Sequence, residues 1–475
     1  MSDPKHPEEG QLPASPGRKL TLLPLVMVMF FTVSGGAYGL EDLVGQSGPG
    51  MALLLIIVTP IIWSLPTALM VAELSTAMPV AGGYYAWVKK ALGPFWGFQE
   101  GWWSWITSFV DMAIYPVLFA DYLNTLLVQQ FDNHLLEENW LAHWLVTLVV
   151  IWTFVFVNIR GAKGVGKWSN YFGAFVLIPF GVMGVIGLSS AITSPSEFWA
   201  PFVPEDSTIL GSFGTGLCVV MWNYLGWDGL STVSDEIHEP RRNFPRGLAL
   251  TIPLVTLAYL LPVGAGLQAS PDWAGWTAGY FPTVAAKVGG QWLGTWLAIG
   301  GLVSAAALFN ALMLSISRLP YVMAEDRFLP SFITKRHPKY DTPYVAIILC
   351  ATVYSFFTLS AFSSLVVVDV IVYSASLMLE FAALIALRYK EPTMKRPVRV
   401  PGGWFGIAVV TALPAAVLAL AVYSTATDDG GATAMLMSAA AIATGPILYP
   451  FLVKFVKKDH PTGAVPIEYD ELGAG

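Results

Sequence analysis

Charge is what this sequence has least of. Asp, Glu, Lys and Arg make up 12% of its 475 residues, against about 25% in soluble domains. No polar stretch is long enough to fold as a soluble domain. Cysteine is nearly missing as well. Cys218 and Cys350 both lie in apolar runs, where a packing role is expected rather than a disulfide or a metal site. There is no His-Glu-x-x-His pattern, no phosphate loop ending in Gly-Lys-Ser/Thr and no Gly-x-Ser-x-Gly elbow. Those absences remove the common zinc, nucleotide and serine-hydrolase chemistries. No catalytic residue, metal ligand or cofactor is therefore expected. With a net charge of −7 and no basic patch, nucleic acid is not an expected partner. The first twenty residues are polar and Pro-rich and lack the apolar core of a cleavable secretory signal. The leader 1–19 and the tail 456–475 are expected to be cytoplasmic, with the leader and the stretch after His460 disordered.

Apolar residues, by contrast, dominate: 55% of the chain is hydrophobic, with 18 Trp. Twelve runs reach the length needed to cross a hydrocarbon core. They fall near 20–46, 50–75, 94–127, 141–158, 168–193, 209–233, 248–268, 291–323, 343–360, 364–388, 404–424 and 432–455. The third and eighth are long, which suggests tilt. If the N-terminus is inside, 24 of the 25 Lys and Arg fall in the leader, the tail and the inner connections; only Lys287 falls outside. The positive-inside rule then gives a multi-pass protein of the plasma or inner membrane, with both termini cytoplasmic and the lipid bilayer as its surroundings.

Glycines interrupt two of these runs about half the chain apart. The first break is Ser34-Gly35-Gly36-Ala37-Tyr38-Gly39, and the second is Trp222-Asn223-Tyr224-Leu225-Gly226-Trp227-Asp228-Gly229. Backbone freed from a helix at membrane depth survives only where it lines a protein cavity. Corresponding breaks in two halves of a polytopic chain point to a substrate site near the bilayer midplane. The first ten runs divide into two fives, 20–193 and 209–388, each opening on a break. Five crossings invert the second set, and 404–455 adds two peripheral helices. The expected fold class is thus an all-α membrane protein of twelve helices with a 5+5 inverted repeat.

The candidate substrate site follows from these breaks. Ser34, Gly35, Gly36 and Gly39 offer free N–H groups and a positive helix end suited to a carboxylate; helix packing through small residues is the alternative. In the second break, Trp222 is a candidate gate or cation-stacking ring, flanked by Asn223 and Gly226. Asp228 is either a counter-charge or a proton acceptor, because a carboxylate near the bilayer centre is a functional hypothesis by default. Its alternative is a wetted place at the inner helix end, beside Asp235 and Glu236. Asp111 and Tyr115 share a polar stripe on the third run, and pairing with a neighbouring helix is the competing role for Asp111. Asp369, Tyr373, Ser376 and Glu380 share a face of the tenth, where Glu380 is a proton-relay candidate. Glu100 and Asp121 sit nearer the ends of the third run. The ionisable groups placed inside the runs are acidic: Glu73, Glu100, Asp111, Asp121, Asp228, Asp369 and Glu380; Arg318 and Arg388 lie at inner ends and can snorkel. Such an interior favours cations or protons. A membrane aspartyl hydrolase using Asp111 and Asp228, a channel, and a non-transporting ligand sensor are the alternatives.

Four stretches resemble a known family. They are Val33-Ser34-Gly35-Gly36; Pro79-Val80-Ala81-Gly82-Gly83-Tyr84-Tyr85-Ala86-Trp87 through Gly97; Asp235-Glu236-Ile237-His238-Glu239-Pro240-Arg241 through Arg246; and Arg318-Leu319-Pro320-Tyr321 through Pro330. Over about 20–456 the chain resembles the amino acid–polyamine–organocation superfamily of secondary transporters. Within it, Ser34-Gly35-Gly36 with Gly39-Leu40-Glu41-Asp42, and Asp111 through Phe119, look most like polyamine-uptake transporters of the type known in plants, then L-type amino acid exchangers. The resemblance implies a leucine-transporter-like fold, with substrate between broken helices one and six and helices three, eight and ten lining the pocket. It implies that Ser34, Gly35 and Gly36 meet the substrate, that Trp222 occludes it, and that Asp228 serves gating or proton coupling. One departure concerns the fifth run, which carries no Lys between Lys167 and Leu188, where proton-coupled relatives can have one. The expectation is a permease for a small molecule, an amino acid or polyamine and preferably a cation. It would be driven by an ion or substrate gradient, with proton symport ahead of exchange or sodium coupling. The sequence says nothing of an accessory subunit.

Overall fold

A computed structural model describes residues 20–459 apart from 81–82, 161–164, 194–196, 230, 232–236, 271, 317, 327, 341 and 429–430. The leader 1–19, the end of the tail, and Asp235 and Glu236 lie outside the described residues. The described regular structure is helical. The first apolar run is split into α1 (Leu22–Val33) and α2 (Glu41–Ser47), with irregular backbone between them. The second holds α3 (Pro49–Thr59) and α4 (Leu65–Ala77), joined through a wide π turn at Pro60–Ser64. Pro60 has no N–H to give the ladder, which is a physical reason for the widening there.

Next come α5 (Gly83–Leu92), α6 (Pro94–Phe131), α7 (Leu135–Glu138), α8 (Trp140–Ile159), α9 (Val165–Thr193) and α10 (Ile209–Asn223). They are followed by α11 (Pro240–Ala269), α12 (Phe281–Gly289), α13 (Gln291–Ile316) and α14 (Arg318–Glu325). The last four are α15 (Tyr344–Phe357), α16 (Phe362–Lys390), α17 (Gly403–Thr427) and α18 (Gly431–Asp459). Local chemistry sets several starts. Gly93 at φ +94 precedes Pro94 at the first turn of α6, a position that needs no N–H. The Asn139 side chain accepts from the N–H groups of Leu141 and Ala142 at the start of α8, a capping contact.

Among the described residues, ten helical segments are long and apolar enough to cross a membrane, and two shorter apolar helices, α1 and α15, fall in the first and ninth runs. The eighth run is divided between α13 and α14, while the third is one helix of 38 residues. That length rises about 57 Å, far more than the roughly 30 Å of a hydrocarbon core. Burial separates centre from periphery: 67% of the apolar window of α6 and 61% of that of α16 are buried inside the protein, against 11% for α18. Large apolar side chains such as Phe156, Val185, Leu436 and Phe451 are exposed, as a surface facing lipid requires. Cys218 and Cys350 are both free and buried, packed near Thr425 and Trp105 respectively.

Candidate functional site

The two breaks meet. A Cβ on Gly226, which sits at φ +92, would stand 2.8 Å from the Thr32 carbonyl oxygen near the end of α1. Only glycine permits that backbone and that approach. In the first break, Ser34 accepts the N–H of Gly36 on its hydroxyl at 3.3 Å. Gly35 gives its carbonyl to the Ser304 hydroxyl of α13 at 2.9 Å, and its face lies against Leu308. Gly36, at φ +103, faces the ring of Phe180. In the second break, the Tyr259 hydroxyl donates to the Asn223 carbonyl at 2.8 Å, and Tyr224 donates to the Ile56 carbonyl at 2.9 Å. Freed backbone is thus satisfied by tyrosine and serine hydroxyls on neighbouring helices, as a dry interior demands. Asn223 is the exception among the candidates: its Nδ2 turns back to the Val219 carbonyl of its own helix at 3.0 Å.

A second group surrounds Trp222. Its indole N–H points to Asp111 Oδ1 at 3.4 Å, and Tyr115 stands one turn from Asp111 on α6. The ring crosses Phe362 edge-on at 5.5 Å between centroids and lies 6.2 Å from Tyr115. A Cβ on Gly39 would come within 2.8 Å of Trp222 and 3.0 Å of Phe362. Gly39, Asp111, Tyr115 and Trp222 therefore form one cluster. Phe362 completes it, and nothing in its apolar surroundings in the sequence marks it out.

Asp228 belongs to a third group, where Tyr373 of α16 donates to its Oδ1 at 2.6 Å. Glu380, two turns further along α16, is within charge–charge range of Asp228 and of Glu100 on α6. Asp369 lies instead near Asp111. Two other acids of the apolar runs have partners. Asp121 pairs with His143 at 2.9 Å, and Glu73 binds Arg388 and Arg396. Among the described residues no set of His, Cys, Asp or Glu converges to hold a metal ion.

Sequence reasoning gave Glu41 and Asp42 no role, yet they clamp the second half of the first broken helix. Glu41 is fully buried and accepts from the Gly39 N–H at 2.8 Å, the Phe281 N–H at 3.3 Å and the Tyr122 hydroxyl. Asp42 accepts from the Ala278 N–H at 2.8 Å. The signal was a carboxylate pair directly after a helix break, where first-turn N–H groups are free. Glu41→Gln keeps the size but loses the charge on the acceptor. It is expected to cost about 1.5–3 kcal/mol, the worth of hydrogen bonds to a charged group, read as a lower melting midpoint of purified protein in detergent.

Comparison with known proteins identifies the family. The amino acid permease family matches residues 23–444. A polyamine transporter of Oryza sativa subsp. japonica is 37% identical over 454 residues, covering 94% of this chain and 81% of its own. A "probable polyamine transporter" of Arabidopsis thaliana is 36% identical over 454 residues, covering 95% of this chain and 91% of its own. The low-affinity putrescine importer of Escherichia coli strain K12 is 25% identical over 389 residues, covering 78% and 79%. With broken helices packed break to break, an apolar exterior and that match over most of its length, this chain belongs to the amino acid permease family.

Proposed function

We propose that this permease moves a small organic cation, a polyamine or basic amino acid, by alternating access. Helices α1 and α10 hold the substrate at their breaks and hinge against α6, α13 and α16. The single observation that carries the reading is the meeting of the two breaks at Gly226 and Thr32, beside the unmatched acids Asp111 and Asp228. The polyamine transport in the names of the 36–37% identical relatives supports the substrate class. In this reading the chain crosses the plasma or inner membrane twelve times, α1 and α15 included, with both termini cytoplasmic. The first ten crossings form the 5+5 inverted repeat. An amino acid would place its carboxylate at the broken backbone of Ser34, Gly35 and Gly36, where the Ser34 N–H is already used by the Phe30 carbonyl and the Gly36 N–H by the Ser34 hydroxyl. A polyamine has no carboxylate, so its ammonium groups would face Asp111 and Asp228.

Trp222 is the occluding lid: it lies over Gly39 and bonds Asp111, so it must leave before substrate passes. Asp228 is the coupling acid, with Glu380 as its inward neighbour. Proton symport is the proposed drive: a proton held on one buried acid crosses together with a cation that faces another, so both move in the same direction. The test is uptake into proteoliposomes of labelled amino acids and polyamines, with and without a proton or sodium gradient. Asp228→Asn is expected to lower cation uptake by at least about 30-fold, the size of about 2 kcal/mol for one side of a buried ionic contact, and to flatten its dependence on pH. Unchanged uptake at every pH removes Asp228 from the mechanism. Exchange of neutral amino acids with no cation transported overturns the substrate assignment.

A further inference from the structure

Building on the permease reading, we propose that the buried acids of α6 and α16 form a two-station rail for a long, extended polyamine, with Asp111 and Asp369 at one station and Glu100 and Glu380 at the other. Glu100 and Asp111 stand eleven residues apart on α6, and Asp369 and Glu380 eleven apart on α16. Eleven residues rise about 16 Å and turn within about 20° of three full turns, so each pair shares a helix face. The two helices pack against one another. Asp369 faces Asp111, while Glu380 faces Glu100. The helices therefore run antiparallel with their acids in register, one carboxylate from each helix at each level.

Both levels carry unsatisfied carboxyl oxygens. Asp369 Oδ1, Glu100 Oε2 and Glu380 Oε2 have no hydrogen-bond partner, though none of these residues is more than 2% exposed. Among the described residues, no ion pair reaches Glu100, Asp111, Asp228, Asp369 or Glu380; the pairs formed there lie elsewhere. A buried carboxylate without a partner is costly enough that a cation, or a proton, is its natural companion. The acids do not converge as metal ligands do, which suits amino groups spaced along a chain. An aromatic hydroxyl stands at each level. Tyr115 lies in charge range of Asp111 and Asp369, and Tyr84 in that of Glu100, Glu380 and Asp228. Asp228, held by Tyr373 one turn from Asp369, falls between the stations and offers an intermediate anion.

The spacing selects for length. A tetraamine with thirteen bonds between its end nitrogens spans about 16 Å when extended, at about 1.25 Å per bond, while a four-carbon diamine spans only about 6 Å. The tetraamine reaches both stations at once and the diamine only one.

The experiment uses the full chain in proteoliposomes, with the four-carbon diamine and the thirteen-bond tetraamine as labelled substrates. Glu380→Gln and Glu100→Gln are expected to lower the ratio of tetraamine to diamine kcat/KM by at least about 10-fold, as loss of one ionic contact allows. Glu380→Asp, which keeps the charge, is expected to hold that ratio near the wild-type value. A ratio unchanged in the Gln variants overturns the rail. Should those variants fail to fold, the wild-type protein still decides. The tetraamine must raise its melting midpoint more than the diamine at equal concentration, and equal shifts overturn the rail. A wild-type protein that transports neither amine overturns both the rail and the amine reading. Transport of both amines without dependence on Glu100 or Glu380 overturns the rail alone.

Discussion

Replacing Gly226 by alanine is expected to cut uptake by at least about 100-fold while the protein still inserts. Two costs combine. Alanine at φ +92 sits in a region that costs a non-glycine residue about 1–3 kcal/mol. Its Cβ would also stand 2.8 Å from the Thr32 carbonyl oxygen. That oxygen is backbone and cannot rotate away, so the breaks must separate, at an overpacking cost of about 1–3 kcal/mol. Together about 3 kcal/mol, charged to the conformation in which the breaks meet, corresponds to about 100-fold. Uptake per inserted molecule, normalised by quantitative immunoblot, measures it. Gly181 is the control: it lies inside α9, and nothing stands within 4 Å of an added Cβ. Gly181→Ala is expected to be neutral or slightly stabilising, since alanine is the better helix former by about 0.5–1 kcal/mol. Equal loss in both variants would mean that glycine acts through helix flexibility at large rather than through the meeting of the breaks.

The second large effect lies away from the substrate. Glu73, fully buried on α4, holds Arg388 at the end of α16, with one Nη2–Oε2 distance of 2.5 Å. It also lies 3.3 Å from Arg396 Nε and accepts the Val400 N–H at 2.7 Å. One carboxylate thus fastens α4, the end of α16 and the linker to α17. Arg396 adds bonds to the carbonyls of Leu387, Glu391 and Met394. Glu73→Ala leaves two guanidinium groups and a backbone N–H without their acceptor. Removing one partner of a buried ionic group costs about 3–5 kcal/mol, so a steep fall in the melting midpoint and in the yield of monodisperse protein is expected. Arg242→Ala provides the contrast. Its contact to Glu239 is 3.7 Å long with both side chains more than half exposed, and exposed pairs contribute at most about 1 kcal/mol. Comparable losses in the two variants would show that Glu73 is no more than a surface pair.

These two variants also show where reading the sequence succeeds and where it stops. Both breaks are visible in the chain, because glycine clusters inside apolar runs have few other uses at membrane depth. The same holds for the acids, because a carboxylate in an apolar run stands out against its neighbours. What each acid does was not visible. Glu73, Asp121 and Asp111 look alike in the sequence, yet one binds two arginines more than 300 residues away, one binds His143, and one meets the indole of Trp222. Asn223 stood beside the break and was a natural candidate, but its amide is used by its own helix. Glu41 and Asp42 went unassigned because their partners, the N–H groups of Phe281 and Ala278, belong to backbone with no side-chain signature.

The sequence by itself determined the class of the protein, the positions of its apolar crossings, the two interruptions and the acidic sign of the interior. Each of these depends on neighbours along the chain: run length, local glycine content and the desolvation of charge. Only the tertiary structure decided which acids are spent on structure and which are left unmatched, and that the two interruptions touch. Helix packing decides those pairings. Antiparallel helices such as α6 and α16 bring residues hundreds of positions apart to one level, and no local pattern encodes that register.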